Sequence, residues 1–243
     1  MMENVTVKSN TKVAHETYCL TLQAPQIAQT AQPGQFVNLS LNRGNGANLL
    51  RRPFSIHRVS ADSIDLLYKL KGEVTGAMVQ QAKGDHLGLI GPLGKSFTIP
   101  TGRRILLVGG GVGIAPLIFA DDRLRAQNKT AVLYGVRARE DAVSLRGKHI
   151  HLHVDEEEKS FVCDNLEEKI LAWEIEEIKT CGPLPMMREV VAVACRLGLE
   201  VEVSLEAHMA CGFGVCLGCS IETKQGYQNV CSDGPVFNGK LIW

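Results

Sequence analysis

Four cysteines carry the sharpest chemical signal in the 243-residue chain, in the spacing Cys211-x4-Cys216-x2-Cys219-x11-Cys231. This is the ligand spacing of a plant-type [2Fe–2S] site, C-x4-C-x2-C…C. Thiolates on one tight loop face a common centre only if the backbone turns sharply. Gly212, Gly214 and Gly218 supply that freedom, including positive φ. Neighbouring N–H groups can then point at the cluster sulfurs and stabilise the reduced, more negative state. A structural zinc is the rival, but zinc favours two C-x2-C-like pairs and only one is present. Four buried structural cysteines have no reason to share a glycine-rich loop. Cys19, Cys163, Cys181 and Cys195 are scattered singly, and Cys19, Cys163 and Cys195 read as core residues.

Two further constellations suit phosphates and flat rings. In Arg51-Arg52-Pro53-Phe54-Ser55 the proline fixes the chain after Arg52, whose guanidinium can bind phosphate bidentately, while Ser55 offers a hydroxyl to a ring heteroatom. The bland alternative is ordinary strand usage. Downstream, Gly72-Glu73-Val74-Thr75-Gly76 leads into a helix expected from Thr75, where free N–H groups can receive a pyrophosphate or Thr75 can simply act as N-cap. Tyr68, on the strand before it, suits either stacking on a flat ring or plain partial burial. Gly109-Gly110-Gly111-Val112-Gly113-Ile114-Ala115-Pro116 joins a strand to a helix, the setting of a dinucleotide-binding turn. It departs from G-x-G-x-x-G by a proline at the third glycine. Cys181-Gly182-Pro183-Leu184-Pro185-Met186 ends a later strand at the carboxyl edge of the sheet, where a nicotinamide would lie, with Cys181 a small residue beside the ring and not a catalytic thiol. His57, His149, His151 and His153 show no metal-ligand spacing, and the His151/His153 alternation suits a strand.

The elements that must position these residues follow from periodicity. Residues 1–99 alternate short β-rich runs with turns such as Pro33-Gly34 and Gly91-Pro92, as an antiparallel barrel does. Residues 100–203 alternate strands (104–108, 130–134, 149–154, 176–180, 200–204) with helices (116–126, 186–197), which describes a parallel sheet with right-handed crossovers. Residues 204–243 form a cysteine- and glycine-rich module with little regular patterning. The run Asp155-Glu156-Glu157-Glu158 reads as a solvated loop.

Composition excludes several classes. Lys+Arg and Asp+Glu are 26 each, so the net charge is zero and no electrostatic footprint for nucleic acid exists. No apolar run reaches the roughly 18 residues that span a membrane. The start shows no secretory signal, which places the expectation in the cytoplasm, where clustered cysteines more often mean metal or redox chemistry than disulfides.

The order R-P-F-S, G-x-x-T, G-P-L-G-x-x-F, G-G-G-x-G-x-x-P, C-G-P-x-P-M resembles the ferredoxin–NADP reductase superfamily. The tail, Ser204-Leu205-Glu206-Ala207-His208-Met209-Ala210-Cys211 through Cys219 and Cys231-Ser232-Asp233-Gly234-Pro235-Val236-Phe237, is similar to the electron-transfer subunits of bacterial B-type dihydroorotate dehydrogenase. The resemblance implies a multi-domain β + α/β fold: an FAD-binding antiparallel β-barrel (1–99), a doubly wound parallel-sheet NAD-binding domain (100–203) and a 2Fe-2S module (204–243). It implies FAD held by Arg52, Pro53, Phe54, Ser55, Tyr68, Lys69, Leu70, Val74 and Thr75. It implies NAD at Gly110, Gly111, Gly113, Cys181, Gly182 and Pro183, and a 2Fe-2S cluster on Cys211, Cys216, Cys219 and Cys231. The partner it implies is a separate FMN-containing dihydroorotate dehydrogenase catalytic subunit, two of each chain in a heterotetramer. Electrons would pass from that FMN through the cluster and FAD to NAD+ in pyrimidine biosynthesis, and this chain needs no side-chain acid, base or nucleophile. Three departures stand out: Val74 replaces a family glycine, Asp155–Lys159 replaces a glycine-containing loop, and His208 stands where a basic Arg is expected.

Two other readings fit the same motifs. One is a stand-alone flavin/iron–sulfur NAD(P)H reductase feeding an oxygenase, and the other is a zinc-stabilised scaffold that kept a nucleotide-binding fold. On nicotinamide choice, Arg137 and Arg139 suit a 2′-phosphate, whereas Glu140 and Asp141 would repel it. The resemblance favours NAD.

Overall fold

The computed structural model describes residues 2–41 and 50–243; residues 1 and 42–49 of the expected barrel segment lie outside that description. Alternating buried and exposed positions curl the first six strands into a closed antiparallel barrel: β1 (Met2–Ala14), β2 (Thr17–Gln23), β3 (Phe36–Leu41), β4 (Arg52–Val59), β5 (Ser63–Lys69) and β6 (His86–Leu93). Their order around it is β1-β2-β5-β4-β3-β6. Val5, Val7, Leu20, Leu22, Val37, Leu39, Ile64 and Leu66 fill the interior, as period-2 strands on a closed sheet require. Helix α1 (Pro25–Thr30) follows β2.

Helix α2 (Glu73–Val79) starts two residues before the expected Thr75. Gly72 is the N-cap, and Thr75 closes the first turn. Its Oγ1 accepts from the N–H groups of Lys71 and Gly72, at 2.9 and 3.1 Å. The hydroxyl fits this reciprocal role better than a cap because a glycine already supplies the extended conformation ahead of the helix.

The second unit is a six-stranded sheet ordered β14-β11-β10-β7-β8-β9, comprising β7 (Arg104–Gly110), β8 (Lys129–Val136), β9 (Ile150–Val154), β10 (Glu177–Cys181), β11 (Glu200–Ser204) and β14 (Val236–Asn238). Successive residues of β7 serve opposite faces. Ile105 and Leu107 pack with α3 (Ile114–Leu124), whereas Leu106 and Val108 pack with α5 (Leu166–Ala172) and α6 (Leu184–Arg196). Helices on both faces make it doubly wound, and the order reverses between β7 and β10, where ligands of such sheets bind. Helix α3 begins at Ile114, not Pro116, after a tight turn at Gly111–Gly113. It is buried along most of its length because barrel and sheet both press on it: Phe119 joins the apolar cluster of the barrel, and Arg58 of β4 pairs with Asp122 at 3.4 Å.

Three further expectations change. The acidic run is no free loop but the helical turn α4 (Asp155–Glu158), organised by cationic partners described below. The tail contains a hairpin, β12 (Ser220–Thr223) and β13 (Gly226–Asn229), then β14 and α7 (Gly239–Ile242). Strand β14 runs antiparallel to β11, so the chain end closes the sheet edge. Cys195 is exposed on α6 and not in the core, while Cys19 and Cys163 are half-buried.

One buried charge ties the barrel's exit segment to the sheet. Lys179 of β10 is fully buried and donates to Glu177 at 2.6 Å, Glu202 at 2.5 Å and Thr98 at 3.1 Å. Paired in this way, the ammonium is tolerated where an isolated one would not be. Among the described residues, no helix is long and apolar enough to cross a membrane.

Candidate functional site

Three sites meet where barrel, sheet and tail converge. The first is a pocket on the barrel wall. Pro53, Phe54, Ser55, Tyr68, Lys69 and Thr75, all expected to hold FAD, line it together. Tyr68 is buried, stacks on Tyr18 with ring centroids 5.6 Å apart, meets Phe54 edge-on at 6.1 Å and donates to Asn10 Oδ1 at 3.0 Å. Burial pushes its phenol up to about 12, so it stays a neutral, fixed wall. Arg52, Leu70 and Val74 are not among the lining residues. Arg52 rests its Nη1 on the carbonyls of Leu50 and Arg51, at 3.0 and 3.3 Å. Arg51 points elsewhere, donating to the Gly88 carbonyl of β6 at 3.1 Å.

Among the lining residues not expected to hold FAD are Leu205, Glu206, Ala207 and Met209, which bring the tail across the pocket. They belong to the tail motif that carries the family resemblance, but nothing in that motif alone places them on the barrel pocket.

The second site is a cleft at the carboxyl edge of the parallel sheet, with Gly110, Gly111, Pro183, Pro185 and Met186 on one side and Gly135, Val136 and Arg137 on the other. The glycines divide the work. A Cβ on Gly110 would lie 2.6 Å from Pro183 Cδ, and one on Gly113 would lie 2.6 Å from the Cys181 carbonyl. These two allow the turn to pack on β10. Gly111 has φ +54 and open space around its missing Cβ, so its backbone is bare toward the cleft, as close approach of a pyrophosphate needs. Gly113, Cys181 and Gly182 are not part of the cleft wall. Cys181 is buried beneath it, and burial followed by the nearby Glu206 drives its thiol well above the ordinary range, despite a hydrogen bond with Ser204. It therefore supports the turn from beneath the cleft wall. Phe161, 70% exposed, is an unexpected member of the cleft.

The third site is the cysteine loop. Cys219 and Cys231 are buried, Cys211 is half-buried and Cys216 is exposed. Backbone N–H groups reach their sulfurs: Gly214 to Cys231 at 3.1 Å, Cys216 to Cys211 at 3.4 Å and Cys231 to Cys219 at 3.4 Å. Left-handed φ occurs at Gly212, Gly214 and Leu217. Gly218, expected to share that role, does not, and Leu217 carries the turn instead. The N–H···S bonds link the cysteines in two pairs, Cys216 to Cys211 and Cys231 to Cys219. Burial works to raise the Cys211 thiol, but N–H groups of Cys216, Phe213 and Val215 outweigh it and bring it down to about 6. Burial, reinforced by Cys219, pushes Cys231 up to about 12.

Among the described residues no three Cys, His, Asp or Glu gather on one point. Two pairs suit a binuclear cluster, each iron taking two thiolates, better than a mononuclear zinc needing four ligands around one centre. The residues fit a [2Fe–2S] cluster.

The comparisons agree with this geometry. A family model for the iron-sulfur cluster binding domain of dihydroorotate dehydrogenase B matches residues 206–242. The "Dihydroorotate dehydrogenase B (NAD(+)), electron transfer subunit" of Caldanaerobacter subterraneus subsp. tengcongensis is 35% identical over 95% of this chain and 94% of its own length. The protein of the same name from Bacillus caldolyticus is 34% identical over 99% of this chain and 98% of its own. In fold, the chain is similar to the structure of an NADH-dependent reduced ferredoxin-NADP oxidoreductase (TM-score 0.87, 24% identity, 98% of this chain and 89% of that one). It is also similar to phthalate dioxygenase reductase (TM-score 0.66, 20% identity, 86% and 70%).

Proposed function

The chain belongs to the family of electron transfer subunits of the NAD(+)-dependent dihydroorotate dehydrogenase B, and from that premise we propose that cleft, pocket and cysteine loop form one electron path. The protein is an oxidoreductase subunit that serves a dihydroorotate-oxidising catalytic subunit and NAD+, with FAD and a [2Fe–2S] cluster as its carriers. A cluster exchanges single electrons and NAD+ takes a hydride, so the flavin supplies the change from one- to two-electron chemistry.

The observation that carries the path is the sharing of walls. Lys69 and Val112 line both the pocket and the cleft, and the tail segment ending at Met209 lines the pocket two residues before Cys211. Within this reading residues 1–99 bind FAD, 100–203 bind NAD and 204–243 bind the cluster. Pro53, Phe54, Ser55, Tyr68, Lys69 and Thr75 form the flavin wall, with Arg52, Leu70 and Val74 flanking it and Arg52 turning to the phosphates. Gly110, Gly111 and Pro183 meet the dinucleotide, on a base of Gly113, Cys181 and Gly182. Cys211, Cys216, Cys219 and Cys231 hold the cluster. The bound partner is an FMN-containing catalytic subunit, two of each chain. We place this path in the cytoplasm, where clustered cysteines more often serve metal or redox chemistry than disulfides.

The test is composition of the purified complex. We expect one FAD and two irons for each copy of this chain, with the dihydroorotate-oxidising subunit co-purifying. Flavin without iron, or stoichiometric zinc, would contradict the reading.

A further inference from the structure

Four charges at and beside the mouth of the cleft, on Arg137, Arg139, Glu156 and Glu157, are left without a role by electron transfer. Arg137 directly follows β8 and lines the cleft. Its Nε donates to Glu156 Oε1 at 3.1 Å. Two residues on, Arg139 donates through Nε and Nη2 to both carboxylate oxygens of Glu157, at 2.7 and 2.5 Å. Those hydrogen bonds hold the Glu157 carboxyl below the usual range.

The acids come from α4, at the end of the neighbouring strand β9, and Asp155 of the same turn lines the cleft. The backbone repeats the pairing, since the Glu156 N–H donates to the Arg137 carbonyl at 3.1 Å. The far end of the turn is also held. His153 places Nδ1 3.0 Å from Glu158 Oε2 and Nε2 3.0 Å from the Ser160 carbonyl, and Val154 N–H donates to Glu158 Oε1 at 3.1 Å. A built turn therefore aims the carboxylates. Of the acids adjacent in sequence, Asp141 also lines the cleft but is engaged by barrel side chains, and Glu140 turns to the barrel. Each has a carboxylate oxygen 3.7 Å from His15 Nδ1, and Asp141 accepts from Lys69 Nζ at 3.0 Å.

The end of the second strand of a dinucleotide-binding sheet is where the adenosine ribose is read, an arginine there accommodating a 2′-phosphate. Here both arginines already hold a carboxylate, and the four charges sum to zero. An incoming 2′-phosphate dianion would have to displace a carboxylate and then sit beside it. A ribose bearing only hydroxyls meets no such obstacle. Specificity built from an element hostile to the wrong ligand is a general device.

We propose that Glu156 and Glu157 are specificity-determining residues, which select the dinucleotide lacking a 2′-phosphate by holding Arg137 and Arg139 in ion pairs at the cleft mouth. The proposal rests on the assignment of this cleft to NAD.

Both pairs are solvent-exposed, and such pairs add little to folding stability, so E156Q/E157Q removes two charges from an intact fold. The variant is prepared as the loaded complex, and flavin reduction by NADPH and by NADH is followed by stopped flow at matched ionic strength. We expect the NADPH-to-NADH ratio of kcat/KM to rise at least about tenfold, and the rise to shrink with added salt. It should vanish when R137A/R139A is added. Hydrogen exchange with ADP-ribose as probe reports separately on the cleft, through protection at residues 110–113 and 155–164. Protection with an unchanged ratio overturns the proposal and leaves the cleft assignment standing. Absence of protection overturns both. A rise that persists without the two arginines also overturns the proposal.

Discussion

Asn38 Nδ2 donates to the carbonyl of Cys211 at 3.0 Å, joining the outer face of the barrel to the first cysteine of the tail loop. Asn38 is fully buried on β3, opposite Pro53 of β4. The approach is close: a Cβ on Gly212 would lie 2.5 Å from Asn38 Nδ2. This amide is a direct link between the barrel and the cysteine loop.

Replacing Asn38 with Ala should therefore loosen the cluster loop before it loosens the barrel. A lost hydrogen bond to a backbone carbonyl costs about 0.5–1.5 kcal/mol. We expect the iron-to-flavin ratio of the purified variant to fall and FAD content to hold. Equal loss of both, measured by iron assay and flavin absorbance, would mean that Asn38 supports the barrel alone.

Cys216 is the exposed cysteine of its pair, and a serine alkoxide is a poor substitute for thiolate on iron. Cys216→Ser should lose or destabilise the cluster while FAD stays bound and NADH still bleaches the flavin. A full-strength cluster spectrum in that variant would remove Cys216 from the ligand set.

The two arginines before Pro53 should separate cleanly. Arg51 is committed to the Gly88 carbonyl and so to the barrel, whereas Arg52 holds only neighbouring carbonyls and can turn to a phosphate. Arg52→Ala should weaken FAD binding about ten- to a hundredfold, the worth of one charge-assisted contact of roughly 1.5–3 kcal/mol. Arg51→Ala should lower the melting temperature with a smaller change in FAD affinity. Equal FAD losses would show both guanidiniums on the phosphate side.

His57 of β4 gives the barrel–sheet contact a pH dependence. Its Nδ1 lies 3.2 Å from the Ala115 carbonyl of α3, and burial lowers its pKa below the ordinary 6.5, against the raising effect of that carbonyl. The folded protein thus resists a proton that the unfolded chain accepts. Stability is full above about pH 6.5 and declines as pH falls below it, by up to about 1.4 kcal/mol per pH unit from this group. Thermal melts at pH 7.5 and 5.5 should show a larger drop for the wild type than for His57→Gln. Equal drops would place the acid sensitivity elsewhere.

What the sequence makes legible here is local. Three cysteines on one loop with a fourth shortly after it, a glycine turn between strand and helix, and a proline after an arginine each state their chemistry within a short stretch. What it hides is tertiary. Arg137 and Glu156 meet only because β8 and β9 end side by side, so the acidic run reads as solvated until the sheet forms. Cys181 terminates its strand as expected, but whether its side chain faces ligand or core depends on how closely Gly113 packs above it. Val236–Asn238 is too short to show a period and becomes a strand only because β11 leaves an edge to pair with. At the cysteine loop, Leu217 takes the left-handed turn that composition assigns to Gly218, a choice made by the positions of the sulfurs.

Anaerobic spectroscopy of the loaded protein, with and without its catalytic partner, addresses the electron path most directly. NADH should bleach the flavin absorbance of this chain alone. Dihydroorotate should do nothing to the chain alone, yet bleach both the flavin and the cluster bands once the catalytic subunit is bound, and added NAD+ should restore them. Bleaching by dihydroorotate without the partner, or a cluster that stays oxidised in the complex while NAD+ is reduced, would contradict a path from partner through cysteine loop and flavin pocket to the cleft.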